Sequence, residues 1–493
     1  MKCPVKSLAL WMLLALALFA SFATPTGFAQ ASKFQHVIVI FQENRTPDNL
    51  FHDPKLIAEG ANIASTGIYK SKSGVETKVT LRPVALANSY DLSHKHMAFE
   101  QMYDNGAMDG ANLISCTPNK NTTCPTLPQF MYVDNSSGTL QPYFDLAEQY
   151  GFANRMFQTN QGPSFPAHQF IFSGTSAPVA FPNAYYKWFA AENPNGDAGC
   201  TASAASFDWE IGPAGKEYLG YDQGYPCYDH PTLPDLFPSS STGTNWWTYY
   251  TELPGSIWTA PNAISHICQS SGQGGSCEGT EWKQHVSIGN QIGNLGKVLT
   301  DIKDCKLAKV SWVIPDGAWS DHAAANSGYG PAWVADIVNE IGNSYANSKH
   351  ACDYWGTETN DTTAILIAWD DWGGWYDHVK PEAIGYPNGT GAQYVYGFRV
   401  PLLVVSAYTK QVTSLGGYIS TKDHDFGSIL HFIEEAYSLG TISPSYRYAD
   451  AFADDLGDFF DYTKVRSFKT IPSPYPPSFF INYTGATTDP DND

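Results

Sequence analysis

The sequence predicts an α/β fold built on a mainly parallel central sheet. Three observations carry that expectation. Four short apolar runs are rich in β-branched and aromatic residues and lack the polar alternation of half-exposed strands. Segments with helical apolar spacing lie among them. Acids, an amide and histidines follow closely on the runs, as ligand groups do in open parallel sheets.

The elements follow in order. Val37–Phe41, Val310–Ile314, Ala364–Trp369 and Val400–Ser406 read as buried parallel strands. Pro331 to Ile341 reads as a helix, with proline at its start and Gly342 after its end. Ser428 to Tyr437, "SILHFIEEAY", has helical apolar spacing. Strands and helices in this mixture predict layered packing. Residues 177–290 are rich in Gly, Ser, Tyr and Trp and read as a loop-rich insertion or cap on a core domain spanning 32–468. The stretch 469–493 is Pro-rich and reads as an extended, partly disordered tail.

Residues 1–31 have the layout of a secretory signal peptide. Lys2 and Lys6 precede an apolar run from Ser7 to Ala23, and Ala29-Gln30-Ala31 offers a small-residue cleavage site. A membrane anchor is the rival, but the run is at the short end for a span and a turn-rich Thr24-Pro25-Thr26-Gly27 follows. The expectation is a secreted protein without stable membrane insertion. Cysteine usage agrees: of nine, Cys3 lies in the leader and the remaining even number suits disulfides. Cys116/Cys124 and Cys268/Cys277 are spaced as local loop staples; the full connectivity is not readable. A net charge of −20 argues against nucleic acid as a partner and requires a locally positive site for any anionic substrate.

Glu43 and Asn44 stand just past the first strand, and Asp370 and Asp371 just past another. His322 follows a third by a few residues, in "VSWVIPDGAWSDH". Carboxylates converging on a dry edge repel, and a bound cation removes the difficulty. Oxygen-only donors suit one divalent ion: Ca²⁺, Mg²⁺, Mn²⁺ or Zn²⁺. Position alone leaves a second reading open, in which these residues are helix caps. In "TNQGPSFPAHQFIFSGTS", Ser164 follows a Gly162-Pro163 turn, where the free N–H groups of a helix start would favour a phosphate. A plain N-cap serine is the alternative. His94, His168 and His378 are further candidates, His168 lying one turn after Ser164.

Taken in order, "HVIVIFQENRTPDNLF", "GPSFPAHQ…SGTS", "VSWVIPDGAWSDH", "AWDDWGGWYDHV" and "VPLLVVSAYTK…DFGSILHFIEE" resemble the phosphoesterase family of secreted acid phosphatases and phospholipases C. The resemblance implies an alkaline-phosphatase-like α/β/α sandwich. It implies that Glu43, Asn44, Asp370 and Asp371 hold the metal and that Ser164 is the nucleophile. It implies that His94 and His322 contact the phosphate or protonate the leaving group. By position alone, His168, one turn after Ser164, and His378, after the Asp pair, are substrate-binding candidates. Phospholipase C members usually read Gly-Pro-Thr-x-Pro-Asn-Arg and Asp-Glu; this chain has Ser164, Ala167-His168 and Asp370-Asp371. Those departures lean toward an acid phosphatase acting on small phosphomonoesters through a phosphoserine. A phospholipase C-type phosphodiesterase is the alternative. A sulfatase fits less well, because the Arg of the Ser/Cys-x-Pro-x-Arg sequence is missing after Ser164. A secreted carbohydrate-binding or surface protein would leave the ordered acids unexplained.

Overall fold

A computed structural model describes residues 33–179, 189–211, 223–238, 244–251, 253–289, 296–347, 352–356, 362–384, 395–445 and 448–485. The leader expected over 1–31 lies outside them. Eight strands form the central sheet: β1 (His36–Gln42), β2 (Gly151–Ala153), β3 (Trp247–Thr251), β4 (Val286–Ile288), β5 (Val310–Val313), β6 (Thr363–Trp369), β7 (Leu402–Ser406) and β8 (Tyr418–Ser420). Their order is β4-β3-β5-β1-β6-β7-β2-β8.

β1 lies at the centre. It pairs in parallel with β5, Val37 opposite Val310, and with β6, Val37 opposite Ala364. Every residue of β1, β5, β6 and β7 is buried, so both faces of the sheet are covered there. That double burial is why these runs show no alternation. The helices fall into two packed groups. Gln141–Gln149 and Lys297–Lys303 pack on Gly330–Gly342, while Ser164–Ser173 packs on Phe426–Tyr437.

β7 corrects one expectation. It runs antiparallel to both β6 and β2. Burial on both faces sets the apolar run, whichever way the strand points, so the run carried no direction. β3 and β4 also come from within 177–290, the stretch read as an insertion, and they pair in parallel at one sheet edge. A separate small sheet joins Phe189–Ala190, Asp208–Ile211 and Gln223–Gly224.

Helix starts follow their caps. Phe426–Tyr437 begins two residues before the expected Ser428. Asp425 accepts from Ser428 N, and Ser428 Oγ accepts from Asp425 N, a reciprocal box that closes the first turn. The tail is partly ordered: Pro477–Ile481 forms a short helix whose Phe480 is fully buried against Trp319. Four disulfides join Cys116–Cys124, Cys200–Cys227, Cys268–Cys277 and Cys305–Cys352, including both expected local staples. No helix of the described residues is long and apolar enough to cross a membrane.

Candidate active site

The neighbouring strands β1 and β6 end side by side, Gln42 opposite Trp369. The chain therefore delivers Glu43-Asn44 and Asp370-Asp371 to one place. Asn44 N donates to Asp370 Oδ1 at 3.1 Å, and Asp371 N donates to the same oxygen at 2.7 Å. Asn44 adopts φ 59°, a left-handed conformation that asparagine tolerates better than most residues. Gly373 makes this approach possible. It has φ 61°, and a Cβ there would sit 2.3 Å from Asn44 O.

Ser164 opens the helix Ser164–Ser173. Its hydroxyl is not spent on capping. Ser164 Oγ donates to Asp371 Oδ2 at 3.2 Å and lies 3.4 Å from Glu43 Oε2. The next backbone N–H, of Phe165, donates to Asn193 Oδ1. Gln158 fixes this loop to the acidic one: Nε2 donates to Gly162 O and Oε1 accepts from Trp372 N.

One turn on, His168 Nε2 lies 3.3 Å from Glu43 Oε1 and 3.8 Å from Asp370 Oδ2. Burial lowers its pKa to about 4, so the ring is neutral at ordinary pH. The sequence made His168 a substrate-binding candidate; the structure sets it among the acids. Glu43, His168 and Asp370 offer three ligand atoms within 4.8 Å of one another.

His94 Nδ1 is 2.9 Å from Leu92 O, which assigns the proton to Nδ1. Nε2 then accepts from Asn44 Nδ2 at 3.2 Å. That bond fixes the amide, and Asn44 Oδ1 is left buried with no hydrogen-bond partner among the described residues. Asp370 Oδ2 is in the same position. Buried acceptors without donors carry a desolvation cost, and a divalent cation removes it. The donor set of carboxylates, one amide oxygen and one neutral imidazole fits such an ion.

His322 stands beside His94, with ring centroids 5.9 Å apart. Its Nδ1 lies 2.7 Å from Ala323 O. Arg45 holds this loop. Its fully buried guanidinium donates to Asp321 O, Asn49 Oδ1 and Leu86 O and lies over the Trp375 ring. Burial lowers the Arg45 pKa to about 10 and raises that of Asp321 to about 6. Asp321 Oδ2 accepts from Tyr143 OH and Trp369 Nε1.

His378 sits in a different cluster. It bonds Asp48 through Nδ1 at 2.7 Å and Asn62 through Nε2, and Arg399 ties Asp48 to Asp377. Sequence reasoning also passed over Trp258, whose ring flanks His168 and His322 at centroid distances of 6.4 and 6.2 Å. It lies within 177–290, where no motif pointed to the site.

The model of the Phosphoesterase family matches residues 34–440, a span that holds every residue of this cluster. The chain belongs to the Phosphoesterase family. This phosphoesterase is 24% identical over 437 residues to the non-hemolytic phospholipase C of Burkholderia pseudomallei, covering 82% of this chain and 55% of that one. It is 22% identical over 464 residues to the hemolytic phospholipase C of Pseudomonas aeruginosa, covering 87% and 56%. Phospholipase C B of Mycobacterium tuberculosis matches at 29% over 129 residues, 22% of each chain. The phosphoesterase thus spans about half the length of these first two curated relatives. Among solved structures, that of Ps i-CgsB in complex with k-i-k-neocarrahexaose covers 86% of this chain and 75% of that one at 9% identity. Its TM-score of 0.35 is too low to carry an argument.

Proposed function

We propose that this phosphoesterase hydrolyses phosphoric esters with Ser164 as nucleophile. One observation carries the reading: Ser164 Oγ donates to Asp371 Oδ2 beside Glu43 at the start of a buried helix. A buried serine hydroxyl facing two carboxylates is arranged to lose its proton rather than to cap. Glu43, Asn44, Asp370 and Asp371, with His168 beside them, would hold one divalent ion. Such an ion lowers the pKa of a bound hydroxyl and offsets phosphoryl charge.

The residues of the chain divide the remaining work. Asp371 Oδ2 takes the Ser164 hydroxyl proton as Ser164 Oγ forms a bond to phosphorus and the bond to the leaving oxygen breaks, giving a phosphoseryl group. His322, as the imidazolium with Nδ1–H held by Ala323 O, gives the leaving oxygen its proton from Nε2. Water then attacks phosphorus and gives a proton to His322 Nε2, the Oγ–P bond breaks, and Asp371 returns the proton to Ser164 Oγ. His94 positions the Asn44 amide. Arg45 and Asp321 fix the His322 loop. Most of the rate gain expected here comes from positioning and fixed dipoles.

Two ester classes compete. The relatives named phospholipase C make a phospholipid phosphodiester the first substrate class to test. A small phosphomonoester is the second reading. It is supported by the enclosure of the site: Ser164, His94, Glu43 and both aspartates have no exposed surface. Four disulfides and the leader-like first residues support export to an oxidising compartment.

The test is release from an aryl phosphomonoester and from a phosphocholine diester between pH 4 and 8, with Ser164→Ala in parallel. Cleavage of either ester that vanishes in the variant supports the reading, and the preferred ester assigns the class. Full activity in Ser164→Ala would remove Ser164 as nucleophile.

A further inference from the structure

Trp258 comes from the 253–289 stretch, which carried no recognisable motif. It is only 2% exposed, and its indole Nε1 has no acceptor among the described residues. A buried donor without an acceptor is uncommon enough to need a reason. Trp312, Trp319, Trp333, Trp372 and Trp375 share the feature, but their surroundings differ. Trp372, which touches His94 edge-on, is walled in by Phe99 and Phe398. The Trp258 ring instead rests on two site histidines. It lies nearly parallel to His168 at 19° and tilted to His322 at 39°.

The backbone around it is fixed to the sheet. Tyr249 of β3 donates its hydroxyl to Trp258 O at 2.6 Å and accepts from Ala260 N. Trp258 N donates to Ser256 Oγ. Burial keeps the Tyr249 phenol protonated, so this tether holds across the working pH range. The indole is therefore held in place before anything binds. Its ring neighbours are His168, on the acidic side, and His322, the proposed leaving-group side, so in the chemistry proposed for Ser164 the group bound nearby would be the phosphoryl group. Its oxygens are acceptors in search of donors.

We propose that the Trp258 indole N–H is a phosphoryl-oxygen donor of this site. The proposal rests on the phosphoesterase chemistry proposed for Ser164. An indole donates without titrating. It holds the phosphoryl oxygens without adding charge and at every pH. The stretch read as a loop-rich insertion thereby supplies a binding residue to the core.

Trp258→Phe keeps a flat ring against both histidines and removes only the donor. A hydrogen bond to a charged oxygen predicts a loss of about tenfold in binding. KM for whichever ester is cleaved and the Kd of inorganic phosphate, read by calorimetry on the whole protein, should both rise by about that factor. The kcat should change little, since the contact exists in both ground and transition states. If Trp258→Phe does not fold, benzothienylalanine at 258, which replaces N–H by sulfur at nearly constant shape, decides the matter. A phosphate Kd and KM within about twofold of the parent in the folded variant overturn the proposal. That result leaves the Ser164 reading standing, provided cleavage is still abolished by Ser164→Ala. Loss of that Ser164 dependence would overturn the chemistry itself.

Discussion

His168 Nε2 lies 3.3 Å from Glu43 Oε1, and both side chains are completely buried. A neutral imidazole among carboxylates is a ligand arrangement before it is a substrate contact. The prediction is that His168→Ala lowers affinity for Mn²⁺ or Zn²⁺ by about 10- to 100-fold. Titration of metal-free protein by calorimetry reads this directly. If His168 touches substrate alone, KM shifts and metal affinity stays where it was.

Ser164→Ala should cut turnover by at least about 10³-fold, because the phosphoseryl route is lost. Metal affinity should change far less, since the carboxylates remain. Mass spectrometry of acid-quenched parent enzyme should find phosphate on the peptide holding Ser164. Its absence under rapid quench, with turnover intact, would favour direct attack by water.

Arg45 is predicted to matter for stability and rate together. Its guanidinium is fully buried and makes bonds to three separate segments. Removing one partner of such a buried charge network costs about 3–5 kcal/mol. Arg45→Met should lower the unfolding free energy by that order and slow turnover as the Asp321-His322 loop loosens. Arg45→Lys should fall between, because it keeps the charge but not the fork. Equal stability of Arg45→Met and parent in urea would contradict the assignment.

Glu434 and Asp450 form a buried acid pair that accepts from one backbone group, Ile442 N, at 3.0 and 3.1 Å. Burial and the neighbouring Asp450 raise the Glu434 pKa to about 9. The native state therefore holds a proton that the unfolded chain releases near pH 4.5. Stability from this pair is present below that value and falls as pH rises toward 9. Glu434→Gln should flatten the fall, gaining stability relative to the parent at pH 8.5 and not at pH 4.5. Urea unfolding at the two values checks it. Parallel curves would mean that the pair does not share a proton.

The strand ends were readable because two signals coincide there. An unbroken apolar run marks a strand covered on both faces, and the first polar residues after it mark its ligand edge. Glu43, Asn44, Asp370 and Asp371 meet because β1 and β6 are parallel neighbours in register. Ser164 drew notice from its turn and helix start, which suit a capping serine equally well; the family resemblance singled it out. His378 was not separable from these: it follows the acidic pair in sequence, yet Asp48 and Asn62 draw it elsewhere. Trp258 left no trace, because a tryptophan in a Gly- and Tyr-rich stretch reads as packing. The direction of β7 was equally silent, since burial on two faces gives the same pattern for either orientation.

The docking of the tail sets an order of assembly. Phe480 and Tyr483 pack edge-on against Trp319, three residues before His322, at 5.6 and 5.0 Å. Glu43 and Asn44 emerge among the first core residues to be synthesised. The wall behind the His322 loop is made more than four hundred residues later in the sequence. In a growing chain the Trp319 side of the His322 loop therefore gains this packing only once Phe480 and Tyr483 are made, long after Glu43.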